Sequence, residues 1–414
     1  MRKTRHNILV GLFNPLLIII LVWIMTICTY AYPVSYDIPN NISKLLFIAV
    51  ISIASFVLAY FPIYLYTLSI CKKTQQVHEP SRASRRRLRA FLAFATLICL
   101  AIVSWTLVKD GLFPFMKVIG YEVKDYQSFG RFKGILFPMM FVLFMVSSLE
   151  RRRTINWGIK LVCLLIAWLY VSRASIAFMG SQYVFFLIIS GKYKRIKNFK
   201  SILVTIILLG IIVVGYLGEI RTGDNSFRRS MQIKHKYKDI PATFLWFSTY
   251  ISMPSVNLLS VVENCHTASS GKMLFNSCLP VPVQTEAFRN AFYKHIPNPY
   301  NNAPTYLAYA FIDFSWYGIL LVNMAYGALG GIFFARVRRS PSSISSLYYA
   351  VYLSALGLSF FAHMLFFFPI LLEFLLIRIV AGCLRHKRAL SHCIKHTVEV
   401  ENVSDAVFER SRKL

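Results

Sequence analysis

Charge is scarce in this chain. Only 15% of its 414 residues are Asp, Glu, Lys or Arg, whereas soluble domains carry about 25%. That deficit, joined to long apolar runs, excludes an ordinary soluble fold. Acids are scarcer still, at 17 Asp and Glu against 46 Lys and Arg. Several catalytic signatures are also missing. There is no Walker A loop, which excludes a self-contained nucleotide pump. There is no GxSxG nucleophile elbow and no HExxH zinc motif. No Asp-x-Asp pair occurs, so a metal-dependent nucleotide-sugar transferase lacks support. No CxxC and no zinc-ligand spacing appear among the eight cysteines. No internal repeat is visible, which weakens a transporter built on inverted repeats.

What the chain has instead is hydrophobicity, at 56% of residues. A helix needs roughly 20 apolar residues to cross a bilayer. The runs 8–30, 45–70, 90–108, 134–149, 155–171, 174–190, 201–218, 303–335, 343–361 and 364–383 meet or approach that length. The expectation is an all-α polytopic membrane protein with about ten spans, and up to about twelve if soft boundaries divide. Spans 1 to 7 fall within residues 1–218 and spans 8 to 10 within 303–383, followed by a tail, 384–414. The first run is too long for the core of a signal peptide and reads as an uncleaved span.

The formal net charge of +29 is distributed as short clusters between apolar runs, which is the pattern of cytoplasmic loops rather than of a nucleic-acid surface. With alternating spans, 30 of the 46 basic residues fall on one side, and the loop 31–43 on the other has none. The positive-inside rule then puts both termini in the cytoplasm.

The apolar pattern is interrupted once, by 84 residues from Glu219 to Asn302, with nine Lys and Arg, three His, five carboxylates and two Cys. Long loops escape the charge rule, so this one can lie outside. Within it, residues 242–262 read as a re-entrant or interfacial helix, with an eleventh span as the alternative, because Pro254, Asn257 and several hydroxyls dilute the run. Cys265 and Cys278 are the cysteines assigned to the loop. In an oxidising compartment they could close a disulfide or remain two thiols.

Ionisable groups at membrane depth are expensive and usually functional. Here they are Arg173 in a short turn, Asp313 inside a span, His363 in a turn, and Glu373 with Arg378 five residues on, read as a structural ion pair. The loop adds Glu219, Arg221, Asp224, Arg228, Arg229, Arg289 and His295. Arginine suits phosphate because its planar fork makes two parallel charge-assisted bonds. Several arginines at one membrane face therefore suggest a diphosphate site. The Lys234–Lys238 cluster reads instead as a patch for anionic headgroups. Trp246, Tyr250, Tyr293, Tyr300, Tyr306, Trp316 and Tyr317 read mainly as an interfacial aromatic belt.

Three segments, within about 170–335, resemble the oligosaccharide repeat-unit polymerases, the Wzy-type O-antigen polymerases. SRASIAFMGSQYVFFLII, with Arg173, is similar to the Ser-Arg segment that opens an apolar span in that family. EIRTGD, with Arg221, looks like its arginine after the next span. NPYNNAPTYLAYAFIDFSWYGILL resembles its Asn…Tyr-x-Asp-Phe-Gly-x-x-Gly segment, with Ser315 where the first of those glycines usually stands and Gly318 retained.

The resemblance implies a membrane-embedded, GT-C-like, metal-independent glycosyltransferase in the inner membrane of a Gram-negative bacterium, working on the periplasmic face. Its substrates would be undecaprenyl-diphosphate-linked oligosaccharides. Its pathway partners would be a flippase and a chain-length regulator, and nucleic acid would have no part. Arg173, Arg221 and Arg289, with Arg228 and Arg229 behind them, would stabilise the departing diphosphate. Asp313, then His295, then Glu219 would take the proton from the attacking hydroxyl. Asp313 could alternatively orient an arginine in a buried pair. The rival readings are an O-antigen ligase, a lipid-linked oligosaccharide flippase and a non-enzymatic scaffold.

Overall fold

The structure is a computed structural model. It describes residues 10–38, 42–71, 81–119, 121, 130, 132–196, 198–199, 201, 204–205, 224–265, 269–280, 283–284, 292–297, 303, 305–339, 342–361 and 364–384. The chain is mostly helical, at 80%, without strands among the described residues. The helices are α1 Pro15–Ala31, α2 Ile42–Ile70, α3 Arg82–Asp110, α4 Lys133–Val146, α5 Arg153–Leu169, α6 Arg173–Ile189, α7 Asp224–Ser230, α8 Ala242–Asn264, α9 Lys272–Ser277, α10 Ala308–Arg339, α11 Ser343–Gly357 and α12 Phe368–Leu384. Among the described residues four helices, α2, α3, α8 and α10, are long and apolar enough to cross a membrane. These give the chain the character of a membrane protein. The expected span 201–218 lies almost wholly outside the described residues.

Local chemistry sets the helix starts. Asn14 accepts the Leu16 N–H and Pro15 occupies the first position of α1, which suits a proline because its missing N–H is not needed there. Ser81 and Ser172 cap α3 and α6. Ser342 and Ser345 cap α11 reciprocally.

The bundle has two chemically different ends. Arg89 forms a bidentate ion pair with Glu150, at 2.9 and 3.1 Å, tying the start of α3 to the turn after α4. Lys192, just past α6, donates to the Ser148 carbonyl at 2.7 Å, and Arg339, at the end of α10, to the Cys71 carbonyl at 3.1 Å. These bonds gather the basic clusters at 82–89, 151–153, 192–195 and 336–339 at one end, called here the basic end. The connector between α1 and α2 lies at the other, the loop end. Lys160 of α5 is buried among the rings of Phe144, Trp157 and Tyr183, and donates to the Tyr183 hydroxyl at 2.6 Å. The cage compensates its lost hydration with cation–π attraction.

Glycines set the central packing. A Cβ on Gly327 would lie 2.2 Å from the Phe56 carbonyl oxygen, and one on Gly331 2.8 Å from that of Tyr60. This Gly-x-x-x-Gly face lets the backbones of α10 and α2 touch, the packing mode that replaces hydrophobic driving force inside lipid.

α10 is not the single span expected over 303–335. Ser315 has φ 55° and ψ −138°, and the chain reverses there. In an unbroken helix Ala310 and Gly318 would stand about 12 Å apart. Instead a Cβ on Gly318 would fall 1.9 Å from the Ala310 carbonyl oxygen. The Tyr306 hydroxyl bonds Asn323 Oδ1 at 2.5 Å, and the Tyr306 and Tyr326 rings are 5.2 Å apart. Residues 308–314 therefore fold back along the helix that begins at Trp316, with the reversal at the loop end.

Candidate active site at the loop end

α8 forms the floor of this region. Its first turns bury Ala242, Leu245 and Trp246 against Val34, Phe227 and Met231. Ser35, in the α1–α2 connector, bridges to Ile233. Near the C-terminus of α8, Glu263 pairs with Lys44 at 3.1 Å, in the first turn of α2. Both ends of α8 thus border the same connector, although its 23 residues suffice to cross a bilayer. Between them, Asn257, Ser260 and Asn264 follow helical spacing and carry polar bonds. Asn257 Nδ2 donates to the Ala303 carbonyl at 3.0 Å, and Asn264 Nδ2 to Ser260 Oγ at 3.1 Å. Ser260 Oγ donates to the His295 carbonyl at 2.6 Å.

His295 is half-buried and held by its backbone, so its imidazole is left for other work. Burial, and next the charge of Lys294, push its pKa below the ordinary imidazole value. The folded chain therefore favours a neutral ring, the form able to accept a proton.

Asp313 takes a different role. It is 0% exposed and sits two residues before the reversal. One carboxylate oxygen accepts from the Ser269 hydroxyl and from the Met273 N–H at 3.0 Å, and the other from the Leu274 N–H at 2.8 Å. Met273 and Leu274 are the second and third residues of α9, whose own cap position is Gly271. Asp313 supplies from another segment the acceptor that a Ser or Asp normally supplies in place. The Ser269 N–H also donates to the Ile312 carbonyl at 3.0 Å. Both carboxylate oxygens accept a bond, and among the described residues no ion pair involves Asp313. In this arrangement its first role is that of a cap.

Arg228 is likewise engaged. Its guanidinium donates to the carbonyls of Lys238 and Ile240, each at 2.8 Å, and closes the α7–α8 connection. Arg229 is exposed. Arg173 is the first residue of α6. Glu219, Arg221, Arg289 and His363 lie outside the described residues. Cys265 and Cys278 are not joined, so the disulfide alternative is corrected. The Cys278 thiol instead donates to the Phe366 carbonyl at 3.1 Å. Burial raises its pKa, which keeps it a thiol.

The Glu373–Arg378 ion pair does not form. Five residues of helix rotate Arg378 about 140° from Glu373, and Arg378 is exposed while Glu373 is 0% exposed. Glu373 meets Gln182 instead. The sequence reading missed Gln182, Lys160 and the cap on α9. Their partners are distant in sequence, so only the polar residues inside apolar runs could have signalled them.

No family model matches this chain, and no curated protein or solved structure is similar to it.

Proposed function

We propose that the chain is an oligosaccharide repeat-unit polymerase of a bacterial inner membrane. In this reading about ten spans carry a periplasmic loop end, the basic end faces the cytoplasm, and the architecture is GT-C-like. The observation that carries it is the chain reversal inside the FIDFSWYG segment, at the end away from the basic clusters, with the segment of the half-buried His295 held against the folded-back stretch through the Phe292–Tyr309 ring contact. That is where a substrate delivered on an external lipid would be met.

The donor glycan leaves a lipid diphosphate, whose negative charge grows as the glycosidic bond breaks. Arg173, Arg221 and Arg289 are the cations proposed to stabilise it, since fixed charges aimed at developing charge lower the barrier without a metal. Arg229 is a secondary contact. Arg228 stays a secondary contact beside it, with its guanidinium also donating to two carbonyls. His295 replaces Asp313 as the first choice for the base that takes the proton of the attacking sugar hydroxyl, with Glu219 next. Asp313 anchors the start of α9. The lipid tails are placed in this reading near α8 and α10.

The ligase is the second reading, with the same donor and a lipid A-core acceptor. One genetic experiment separates them. The gene is deleted in its host, and wild type or Arg221→Ala is returned. Loss of the long polysaccharide ladder with retention of a core-plus-one-repeat band, restored by wild type and not by the variant, supports the polymerase. Loss of every repeat-bearing band points to the ligase or flippase. An unchanged ladder removes the glycan reading.

A further inference from the structure

Away from the loop-end site, α6 and α12 are joined by a polar contact in apolar surroundings. Gln182 Nε2 donates to Glu373 Oε2 at 2.7 Å, and both residues are 0% exposed. The other oxygen of the acid, Glu373 Oε1, and the amide oxygen, Gln182 Oε1, are both buried without a hydrogen-bond partner. A neighbouring bond, Ser181 Oγ to Ser354 Oγ at 3.3 Å, ties the same stretch of α6 to α11. Unmade acceptors of this kind are costly inside a protein, and more so when charged. An ionised Glu373 would leave two buried oxygens, one on each member of the bonded pair, with neither donor nor cation among the described residues.

Among the described residues no charged group relieves this. α12 packs against α3, α4 and α11. α4 has Lys133 as its lone ionisable residue, at its first position. α3 brings Cys99 into the core, and Arg89, near its start, is held by Glu150. α11 brings Tyr349 and Tyr352, whose hydroxyls donate to the carbonyls of Phe13 and Tyr326, and Tyr348, stacked on Phe374. On α6 the neighbour Tyr183 is bonded by Lys160. None of these groups bonds Glu373.

One proton removes both deficits. Placed on Glu373 Oε1, it can be donated to Gln182 Oε1, closing the two-bond ring in which an acid O–H meets an amide carbonyl and an amide N–H meets the acid carbonyl. We propose that Glu373 is a proton-binding site, and that the neutral Glu373–Gln182 acid–amide pair latches α6 to α12. On ionisation the proton passes to water, and the remaining carboxylate faces the amide oxygen, so the latch opens. α6 begins at Arg173, nine residues from Gln182, so the latch holds the helix that carries a proposed diphosphate contact. The proton site itself stands independently of the glycan reading.

The test is infrared difference spectroscopy of the full chain in lipid nanodiscs, wild type against E373Q. The expected result is a carboxylic-acid carbonyl band at neutral pH that shifts in deuterium oxide and is lost in E373Q. In Q182L, which keeps the acid and removes its amide partner, the band should move to higher frequency and persist. If E373Q does not fold, the deuterium shift and the Q182L displacement carry the test. Absence of the band in folded wild type overturns the proposal. So does a band that disappears when choline chloride is replaced by sodium chloride, because a metal cation would then hold the two oxygens.

Discussion

The loop end and the bundle interior each bury a carboxylate, and they treat it in opposite ways. Asp313 at the loop end receives three donors on its two oxygens and fixes the start of a neighbouring helix. Glu373 in the interior receives one donor and keeps an oxygen unpartnered. Burial alone therefore does not mark a catalytic group. A carboxylate with donors on both oxygens serves the scaffold, whereas one with an oxygen left unbonded is open to a proton or a ligand. Intramembrane ionisable residues are functional by default, but which function they serve depends on how many lone pairs the fold has already filled.

The sharpest way to break this contrast is to empty the Asp313 site. Asp313→Ala leaves two backbone N–H groups and a hydroxyl without acceptors, and the cost should be on the order of 4 kcal/mol. The expected outcome is loss of the monodisperse gel-filtration peak or a large fall in melting temperature in detergent. Asp313→Asn, which keeps one acceptor oxygen and sets an NH2 group against one of the backbone N–H donors, should lose less than Asp313→Ala. If Asp313→Asn melts like wild type while activity falls by about 100-fold or more, Asp313 is chemical and the contrast fails.

His295→Ala should do the reverse, lowering turnover by roughly 10²–10⁴-fold, the usual worth of a positioned base. Folding should be little changed, because the bond to Ser260 uses the His295 carbonyl. The pH dependence has a defined sign. Burial and Lys294 depress the imidazole pKa, so activity should hold as pH falls through the ordinary imidazole range and be lost only below it. Lys294→Ala should move that acid limb upward. Stability follows the same direction, since a depressed histidine pKa favours the fold above the unfolded-state value and loses that contribution as acid protonates the ring.

Two substitutions sharpen the account of the reversal that places Asp313. Gly318→Ala pushes a methyl into the Ala310 carbonyl and should cost about 2 kcal/mol by overpacking. Ser315→Gly should gain about 1 kcal/mol, because serine at φ 55° is strained and glycine is not. Thermal unfolding of both variants in one detergent measures the pair. A stabilised Gly318→Ala would mean that the chain does not turn back at Ser315.

The apolar helices were legible because bilayer thickness imposes a length that composition reveals, and α2 and α3 extend about where the runs over 45–70 and 90–108 suggested. The grouping of basic clusters at one end follows from the same alternation. The reversal at Ser315 was not legible. A hydropathy window averages straight through it, and the hint was indirect, in that Ser315 stands where the segment it resembles usually has a glycine. Gly318 was noted as part of a motif, but its reason is a contact with a carbonyl eight residues earlier. Asp313 was recognised as a buried acid, yet its donors lie about 40 residues upstream, beyond any local pattern. Gln182 is 191 residues from Glu373, so helical spacing pointed to Arg378 instead. The Gly327 and Gly331 spacing was present and would have identified the α2 contact, had small residues been weighed alongside apolar ones.

The most direct test is turnover by the purified protein. Wild type in nanodiscs is given a lipid-diphosphate-linked oligosaccharide repeat unit as both donor and acceptor, and products are resolved by size. The account predicts glycans lengthening in steps of one repeat, with release of the lipid diphosphate, and loss of that ladder in His295→Ala. A wild-type protein that binds the substrate and yields no product longer than one repeat would contradict it.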